Sequence, residues 1–517
     1  MPQIIQLSLT PAEAYNSENI QKAIAQHLST PKENISDFRL LKRSIDARKR
    51  KVKIQVKVEV FINEKIPESN IERNYQDVSG KEEIVIVGSG PAGLFAALKL
   101  IELGLKPIIL ERGKDVQSRR RDLAAINKQH IVNSDSNYCF GEGGAGTYSD
   151  GKLYTRSKKR GSIQSVLETM VFHGAKEEIL IDAHPHIGTN KLPKLIASIR
   201  ETVLNAGGKI HFNCKVTDFI LKDNKILGVV TEKGDKVFGK SVILATGHSA
   251  RDIFFLLQEK NIAIDAKPFA MGVRIEHPQT LIDQIQYSLE NRGPYLPAAS
   301  YRLVEQVNDR GIYSFCMCPG GFIVPAATAP GEVVLNGMSP SKRDSFYANS
   351  GMVVEVKKKD LTPFHQYGEL AGLHYQMSIE KMACEAGQNL QVSPAQRMAD
   401  FVNNKTSPKL NSTSYQPGII STPLHKLLPE AISYSLQEGL QLFGKKMKGY
   451  LTNEANILGV ESRTSSPVSI PRDKETLQHI QINNLYPCGE GAGYAGGIIS
   501  AAIDGERCAL MIYTNNK

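Results

Sequence analysis

Residues 84–113 read IVIVGSGPAGLFAALKLIELGLKPIILERG and carry the clearest chemistry in the chain. Gly88, Gly90 and Gly93 supply G-x-G-x-x-G directly after an apolar run at 84–87. Pro91 suits a first helical position, and Leu94, Leu98 and Ile101 then recur at helical spacing. Gly104 ends that helix, and a second apolar run at 107–110 ends at Glu111. Glycines in this order permit a tight turn and close approach of backbone to a pyrophosphate. The helix start turns free N–H groups toward that charge, and a carboxylate such as Glu111 accepts both ribose hydroxyls. Gly88, Ser89, Gly90, Pro91, Ala92, Gly93, Glu111, Arg112 and Gly113 are therefore the expected contacts of a dinucleotide. An acid at 111 disfavours a 2′-phosphate, so FAD or NAD is expected before NADP. A plain strand–helix turn with no ligand would leave Glu111 unexplained.

Composition sets the frame for the elements that position these residues. A chain of 517 residues is too long for one core, so two or three domains are expected. Hydrophobic content of 41% and charged content of 22% are those of an ordinary globular protein. The net charge of +10 attracts anions, nucleic acid or acidic membranes, but a scattered lysine excess explains it equally. The start of the chain has no basic-then-apolar signal pattern, and no uncharged apolar run reaches membrane-spanning length. Seven cysteines are an odd, sparse count that fits reduced thiols, so the cytoplasm is the expected compartment. Only Cys316 and Cys318 are close in sequence, and C-x-C without further ligands does not make a metal site. No metal is expected.

Five segments follow from the pattern. Residues 1–64 read as a small β-α-β-β module, with clean alternation at Val52, Ile54, Val56, Val58 and Val60. Its basic run, Lys42, Arg43, Arg48, Lys49, Arg50, Lys51, Lys53 and Lys57, has no interleaved aromatic residue and reads first as a solvated hairpin face. Residues 65–80 read as a linker. Residues 81–254 hold the βαβ unit and a glycine-rich loop. They continue with an amphipathic helix at 192–206, a strand at 209–216, a three-stranded meander and a buried strand ending in Ala245-Thr246-Gly247. Residues 255–475 alternate short strands with Pro/Gly turns and read as an inserted substrate domain. Residues 476–517 return with one short strand, the turn Gly489-Glu490 and a final helix from Ile498.

This order of motifs resembles the glutathione-reductase-type FAD superfamily. The resemblance implies an α/β fold: a Rossmann FAD domain with an inserted mixed α+β substrate domain and the small N-terminal β-α-β-β module. Its closing turn is commonly Gly-Asp, whereas here the acid is Glu490. More closely, the chain resembles a family of uncharacterised FAD-dependent dehydrogenases over essentially its whole length. The carriers are GEGGAGTYSDGKLYTR from Gly141, KPFAMGVRIEHP from Lys267, FCMCPGG from Phe315, NGMSPSKRDSFYANSG from Asn336, GVESRTSSPV from Gly459 and CGEGAGYAGGIISAAIDG from Cys488. The resemblance implies FAD, and because no attachment His or Cys stands out near the flavin loops, the FAD is expected to be non-covalent. The resemblance adds Val216, Ala245, Thr246, Gly247, Gly489, Glu490, Gly497 and Ile498 to the cofactor's expected contacts. Gly143, Gly144, Ala145, Gly146 and Thr147 join them, because glycines let backbone N–H groups approach an anion.

Candidates for the reaction itself are Lys152, Arg274, His277 and Arg463. Lys152 would stabilise flavin negative charge or bind an anionic substrate. Arg274, with Glu276 and His277, sits just past an apolar strand, where such groups orient a carboxylate or donate protons. A turn histidine is the plainer reading. Arg463 opens R-T-S-S shortly before the closing segment, and Tyr494 within that segment could cap the flavin ring. Cys316 and Cys318 read first as buried structural thiols and second as a redox pair, because a C-x-C disulfide is uncommon.

The expected function is an FAD-dependent oxidoreductase passing hydride through flavin N5 to or from a small organic substrate. No second complete nucleotide-binding unit follows, so NAD(P)H would dock transiently or an electron-donor protein would supply electrons. Two alternatives stand beside this: a flavin-dependent RNA-modifying enzyme using the basic N-terminal module, and a non-catalytic electron relay. Nucleic acid is the less favoured partner, and no membrane span is expected.

Overall fold

The computed structural model describes residues 2–49, 51–64, 71–155 and 161–515. Arg50 of the basic run, residues 65–70 of the expected linker and Arg156 of the GEGG string lie outside the described residues.

The chain opens with β1 (Gln3–Leu9), the helix Ser17–Leu28, β2 (Ile35–Asp46) and β3 (Lys53–Ile62), joined as an antiparallel sheet in the order β1-β3-β2. Alternation decides the faces: Ile54, Val56, Val58 and Val60 are fully buried against Ile20 and Ile24 of the helix. This module is docked onto the rest of the protein. Arg43 donates to Asp182 at 2.9 Å, and its guanidinium lies 4.3 Å over the Tyr15 ring. Tyr15 in turn stacks on Tyr295.

The expected linker is only in part a linker. Val78 is fully buried and its N–H donates to the Ala206 carbonyl, while Arg73 binds the Ser165 carbonyl. Two apolar or charged anchors in ten residues hold this segment along the nucleotide domain.

That domain is built on β4 (Glu83–Val87), β5 (Lys106–Leu110), β6 (Lys209–His211), β10 (Val242–Leu244) and β21 (Leu485–Pro487). All pairs in the order β21-β10-β4-β5-β6 are parallel. The helix Pro91–Glu102 crosses from β4 to β5 and buries Leu94, Phe95, Leu98 and Ile101. It packs on the final helix Ile498–Asn515 at small residues: a Cβ on Gly505 would stand 2.0 Å from the Ala92 carbonyl oxygen. The continuous strand expected at 209–216 is broken. β6 ends at His211, Asn213 takes a left-handed φ of 51°, and β7 (Val216–Lys222) joins a separate meander with β8 (Lys225–Thr231) and β9 (Lys236–Phe238). The break follows from hydrogen bonding: Asn213 and Cys214 donate to the carbonyls of Gly113 and Glu111 and turn the chain over the end of β5.

A two-stranded pairing, β11 (Asp265–Ala266) with β20 (Val468–Ser469), marks where the chain leaves and re-enters this domain. Between them lies one large mixed sheet of β12 (Ala270–Pro278), β13 (Val304–Val307), β14 (Arg310–Pro325), β15 (Leu335–Met338), β16 (Tyr347–Glu355), β17 (Ser393–Arg397), β18 (Ile419–Ser421) and β19 (Asn456–Glu461). The order is β13-β14-β16-β12-β19-β17-β18, with β15 on β14. The helices Ala371–Ala386 and Glu430–Lys446 cover it, and its buried Val273, Ile275, Met352 and Val354 share one apolar core with the N-terminal module. Among the described residues, no helix is long and apolar enough to cross a membrane.

Candidate functional site

A cavity of about 380 Å³ lies where the C-terminal ends of β4, β5 and β10 meet the closing segment and the large sheet. Its first wall is the G-S-G-P-A-G turn. Gly90, Pro91 and Ala92 line it, and a Cβ on Gly90 would meet no atom within 4 Å. Gly88, at φ 101°, also lines it, and a side chain there would strike the Ala245 carbonyl oxygen at 2.5 Å. Ser89 and Gly93, expected as contacts, face inward instead. Ser89 donates from both N and Oγ to Glu111, and Gly93 lies where a Cβ would come within 2.0 Å of the Gly88 carbonyl oxygen.

Glu111 lines the cavity, but its carboxylate already serves the backbone. Oε2 takes the two Ser89 donors at 2.9 and 2.7 Å, and Oε1 takes the N–H groups of Gly113 and Gly141 at 2.8 and 3.0 Å. Four donors match the acceptor capacity of one carboxylate. Gly113 is therefore a packing residue, pressed on Gly141, and does not line the cavity. Arg112 does line it, held by Asp252 and Asp135 and laid over the Phe140 ring.

The glycine-rich loop divides in the same way. Gly144, Ala145 and Gly146 line the cavity. Gly143 and Thr147 point inward, with Thr147 Oγ1 donating to the Glu142 carbonyl at 2.8 Å. Beneath the loop the fully buried Arg119 donates to the carbonyls of Asn137, Glu142 and Gly144. In sequence it is one of three consecutive arginines, with nothing to distinguish it.

Val216, Ala245, Thr246 and Gly247 form the next wall, and Gly489, Glu490, Gly497 and Ile498 the opposite one. Gly247, Gly496 and Gly497 each present open space where a side chain would stand. The Gly489 turn is fastened from behind: Asp504 accepts the Gly489 N–H at 2.9 Å and is clamped by Arg472 at 2.6 and 3.0 Å. Tyr494 stacks with that arginine 3.7 Å over its ring, accepts the Arg472 N–H, and does not line the cavity. Asp504 with Cys488 and Cys508 is the one cluster among the described residues with metal-ligand geometry, and its carboxylate is spent on Arg472. Burial raises the Glu490 carboxyl to about 7 against the opposing charge of Lys267.

The remaining wall comes from the large sheet: Phe315, Cys316, Asn336, Glu461, Arg463 and the loop residue Lys152. Burial also lifts Glu461 to about 7, although Arg274 opposes the shift. Lys152 donates to the Met317 carbonyl and lies 4.0 Å from Asp150. Arg463 is locked among Glu380, Glu332 and Thr328, a buried cluster that Arg251 completes. His248, overlooked in the sequence because no motif marks it, lines the cavity. Burial and the nearby Arg463 and Arg251 push it down to about 4, so it is neutral.

Two expected reaction residues are not at the cavity. Arg274 is wholly buried in β12 and donates to Asn349, Glu461 and the Cys316 carbonyl. His277 is buried near the end of β12, hydrogen-bonded to the Tyr450 carbonyl and held near 4 by burial. By sequence pattern both are expected just past an apolar strand, but β12 runs through 278, which keeps them inside the sheet.

Residues 268–464 match a family described as "FAD-dependent protein, C-terminal domain-like", and residues 83–124 match an FAD binding domain. Residues 1–61 match a domain described only as of unknown function. A Clostridium beijerinckii protein, named "Uncharacterized protein", is 42% identical over 513 residues and covers 95% of each chain. The thiamine thiazole synthase of Methanococcus vannielii is 27% identical over 195 residues, which is 35% of this chain and 63% of that one. A solved structure of CtdE in complex with FAD covers 84% of each chain at 11% identity, with a TM-score of 0.33. The protein is thus an FAD-binding flavoprotein, and the chain belongs to the family of FAD-dependent proteins that it shares with the C. beijerinckii relative.

Proposed function

We propose that FAD lies extended along the cavity in the glutathione-reductase manner and that a small organic substrate enters against the large sheet. One observation carries this reading. Gly90, Gly247, Gly496 and Gly497 come from three separate segments, yet each leaves the space of a side chain open at the same cavity. Bare backbone on several walls suits a long polar cofactor threaded between them.

The residues present fit that group. Gly90, Pro91 and Ala92 would hold the pyrophosphate at the helix start, where free N–H groups face the anion. Gly144, Ala145 and Gly146 would close over it. Arg112 and Val216 would border the adenosine end, and Gly489, Glu490, Gly497 and Ile498 the ring end. Glu111 supports the turn chiefly by holding the N–H groups of Ser89, Gly113 and Gly141. FAD, once bound, supplies two-electron hydride chemistry.

The chain's own part falls to the sheet wall. Lys152 brings positive charge to the cavity, suited to an anionic group on the substrate. Glu461, with an ionisation near 7, holds or releases a proton there around neutral pH, and Arg274 fixes its Oε2. Arg463 shapes the wall through its ion pairs. A nicotinamide nucleotide would reach the cavity transiently from solvent, and a donor protein is the other electron source.

The test is direct. Purified protein should retain about one FAD per chain and bleach anaerobically with a matching reductant from a panel that includes NADH and NADPH. Protein that neither retains nor rebinds FAD would sink the proposal. FAD that no donor reduces in a way coupled to an acceptor would favour the relay reading.

A further inference from the structure

We propose that Cys316 and Cys318 form a dithiol that exchanges two electrons with the FAD of the adjoining cavity, closing to a disulfide as the flavin is reduced. The inference rests on the FAD reading above and adds a second redox centre to it.

On a regular strand, residues i and i+2 share a face, but their Cα atoms stand roughly 6.5–7 Å apart, at the limit for an S–S bond. β14 is not regular here. Phe315 pairs with Gly351 and Cys318 with Asn349, so three steps on β14 answer two on β16. Cys316 takes a left-handed φ of 45° within this bulge. That conformation is rare outside glycine, and a bulge re-aims the side chains around it. The outcome is specific: Cys316 lines the cavity and Cys318 is buried beside it. The Cys318 sulfur also lies 3.3 Å from the Cys316 carbonyl oxygen. Both sulfurs are free thiols.

Two cations converge on the same three residues. Lys152 binds the carbonyl of Met317, and Arg274 donates to the Cys316 carbonyl at 2.9 Å and lies 3.7 Å from the Cys318 sulfur. The adjoining Cys318 thiol and these charges favour thiolate at Cys316, while Cys318 keeps its proton. Across the cavity, Cys316 is close enough to Glu490 of the closing turn to disfavour that acid's ionisation. Buried structural thiols need neither a bulge nor two cations.

The step balances without a further reactant. Cys316 thiolate, Cys318 thiol and FAD become the Cys316–Cys318 disulfide and FADH⁻. One S–S bond forms, the S–H bond of Cys318 breaks, and its proton goes with two electrons to the flavin. The cysteines are oxidised and the flavin is reduced.

Anaerobic dithionite titration of the air-oxidised holoprotein tests this. Wild type should take up about four electrons per FAD, as two two-electron couples require, and Cys316→Ser and Cys318→Ser about two each. Mass analysis of the oxidised wild type should find the 316–318 peptide short of two hydrogens and resistant to alkylation. Wild type that holds FAD, takes up about two electrons and alkylates at both cysteines overturns the dithiol but not the FAD site. Wild type that holds no FAD overturns the flavin reading itself.

Discussion

Arg274 donates to Glu461 Oε2 at 2.9 Å, and both side chains are closed off from water, at 0% and 3% exposure. The same guanidinium reaches Asn349 on β16 and the Cys316 carbonyl on β14, so one arginine ties four strands behind the cavity wall. Replacing it with an apolar residue leaves Glu461 buried and unpaired. Arg274→Met should lose about 3–5 kcal/mol of unfolding free energy, the usual cost of breaking a buried pair from one side. Urea denaturation measures it, and a loss under about 1 kcal/mol would show the pair to be unimportant.

Glu490 makes stability depend on pH. Its carboxyl rises from 4.5 to about 7 by burial, so the folded chain holds this proton more tightly than the unfolded chain does. The associated stability is full below about 4.5 and drains away as pH rises through about 7. Glu490→Gln does not titrate. Relative to the variant, flavin-free wild type should weaken by up to roughly 3 kcal/mol between pH 5 and pH 8. Parallel melting curves that keep a constant gap across that range would refute the assignment.

Gly90 and Gly93 separate ligand space from packing space. A Cβ on Gly93 would stand 2.0 Å from the Gly88 carbonyl oxygen, whereas one on Gly90 meets nothing. Gly93→Ala should therefore misfold or lose about 3 kcal/mol or more, as overpacking against backbone does. Gly90→Ala should fold normally and bind FAD at least tenfold more weakly, because its methyl occupies the proposed pyrophosphate space. Circular dichroism and flavin titration distinguish the two. Equal FAD affinity in Gly90→Ala and wild type would move the cofactor elsewhere.

Lys152 favours the charged form of the Cys316 thiol. Lys152→Gln should shift the midpoint of Cys316 alkylation upward by about one pH unit. Peptide-resolved mass spectrometry after iodoacetamide labelling across pH reads this out. An unchanged midpoint would mean that Arg274 and Cys318 govern the thiol alone.

The nucleotide-binding turn was legible because its chemistry is local. Glycine positions, the helix start and the acid after the second strand are fixed by spacing within thirty residues, and the same stretch matches an FAD binding domain. Even there, spacing did not separate residues that face the cavity from those that only make the turn close. Ser89, Gly93, Gly113, Gly143 and Thr147 belong to the second kind, and the distinction lies in contacts with Glu111, Gly141 and Glu142 that are distant in sequence or invisible to periodicity. Arg274 and His277 were misplaced for a related reason. Polar residues just past an apolar run look exposed, but β16 and β19 flank Arg274 on both sides, and β16 and Tyr450 close over His277.

By itself the sequence determined the dinucleotide motif, the parallel βαβ unit, and the β-α-β-β order of the first module, since each rests on short-range pattern. Its long specific strings also pointed to the FAD-dependent family. Only the tertiary structure decided which face of each glycine turn opens into the cavity. It alone brought Lys152, Cys316, Glu461, Arg463 and His248 to one cavity from residues as much as three hundred positions apart. Strand pairing sets those meetings, and the bulge that aims Cys316 exists only because β14 slips against β16, a relation between two strands that neither strand's sequence contains.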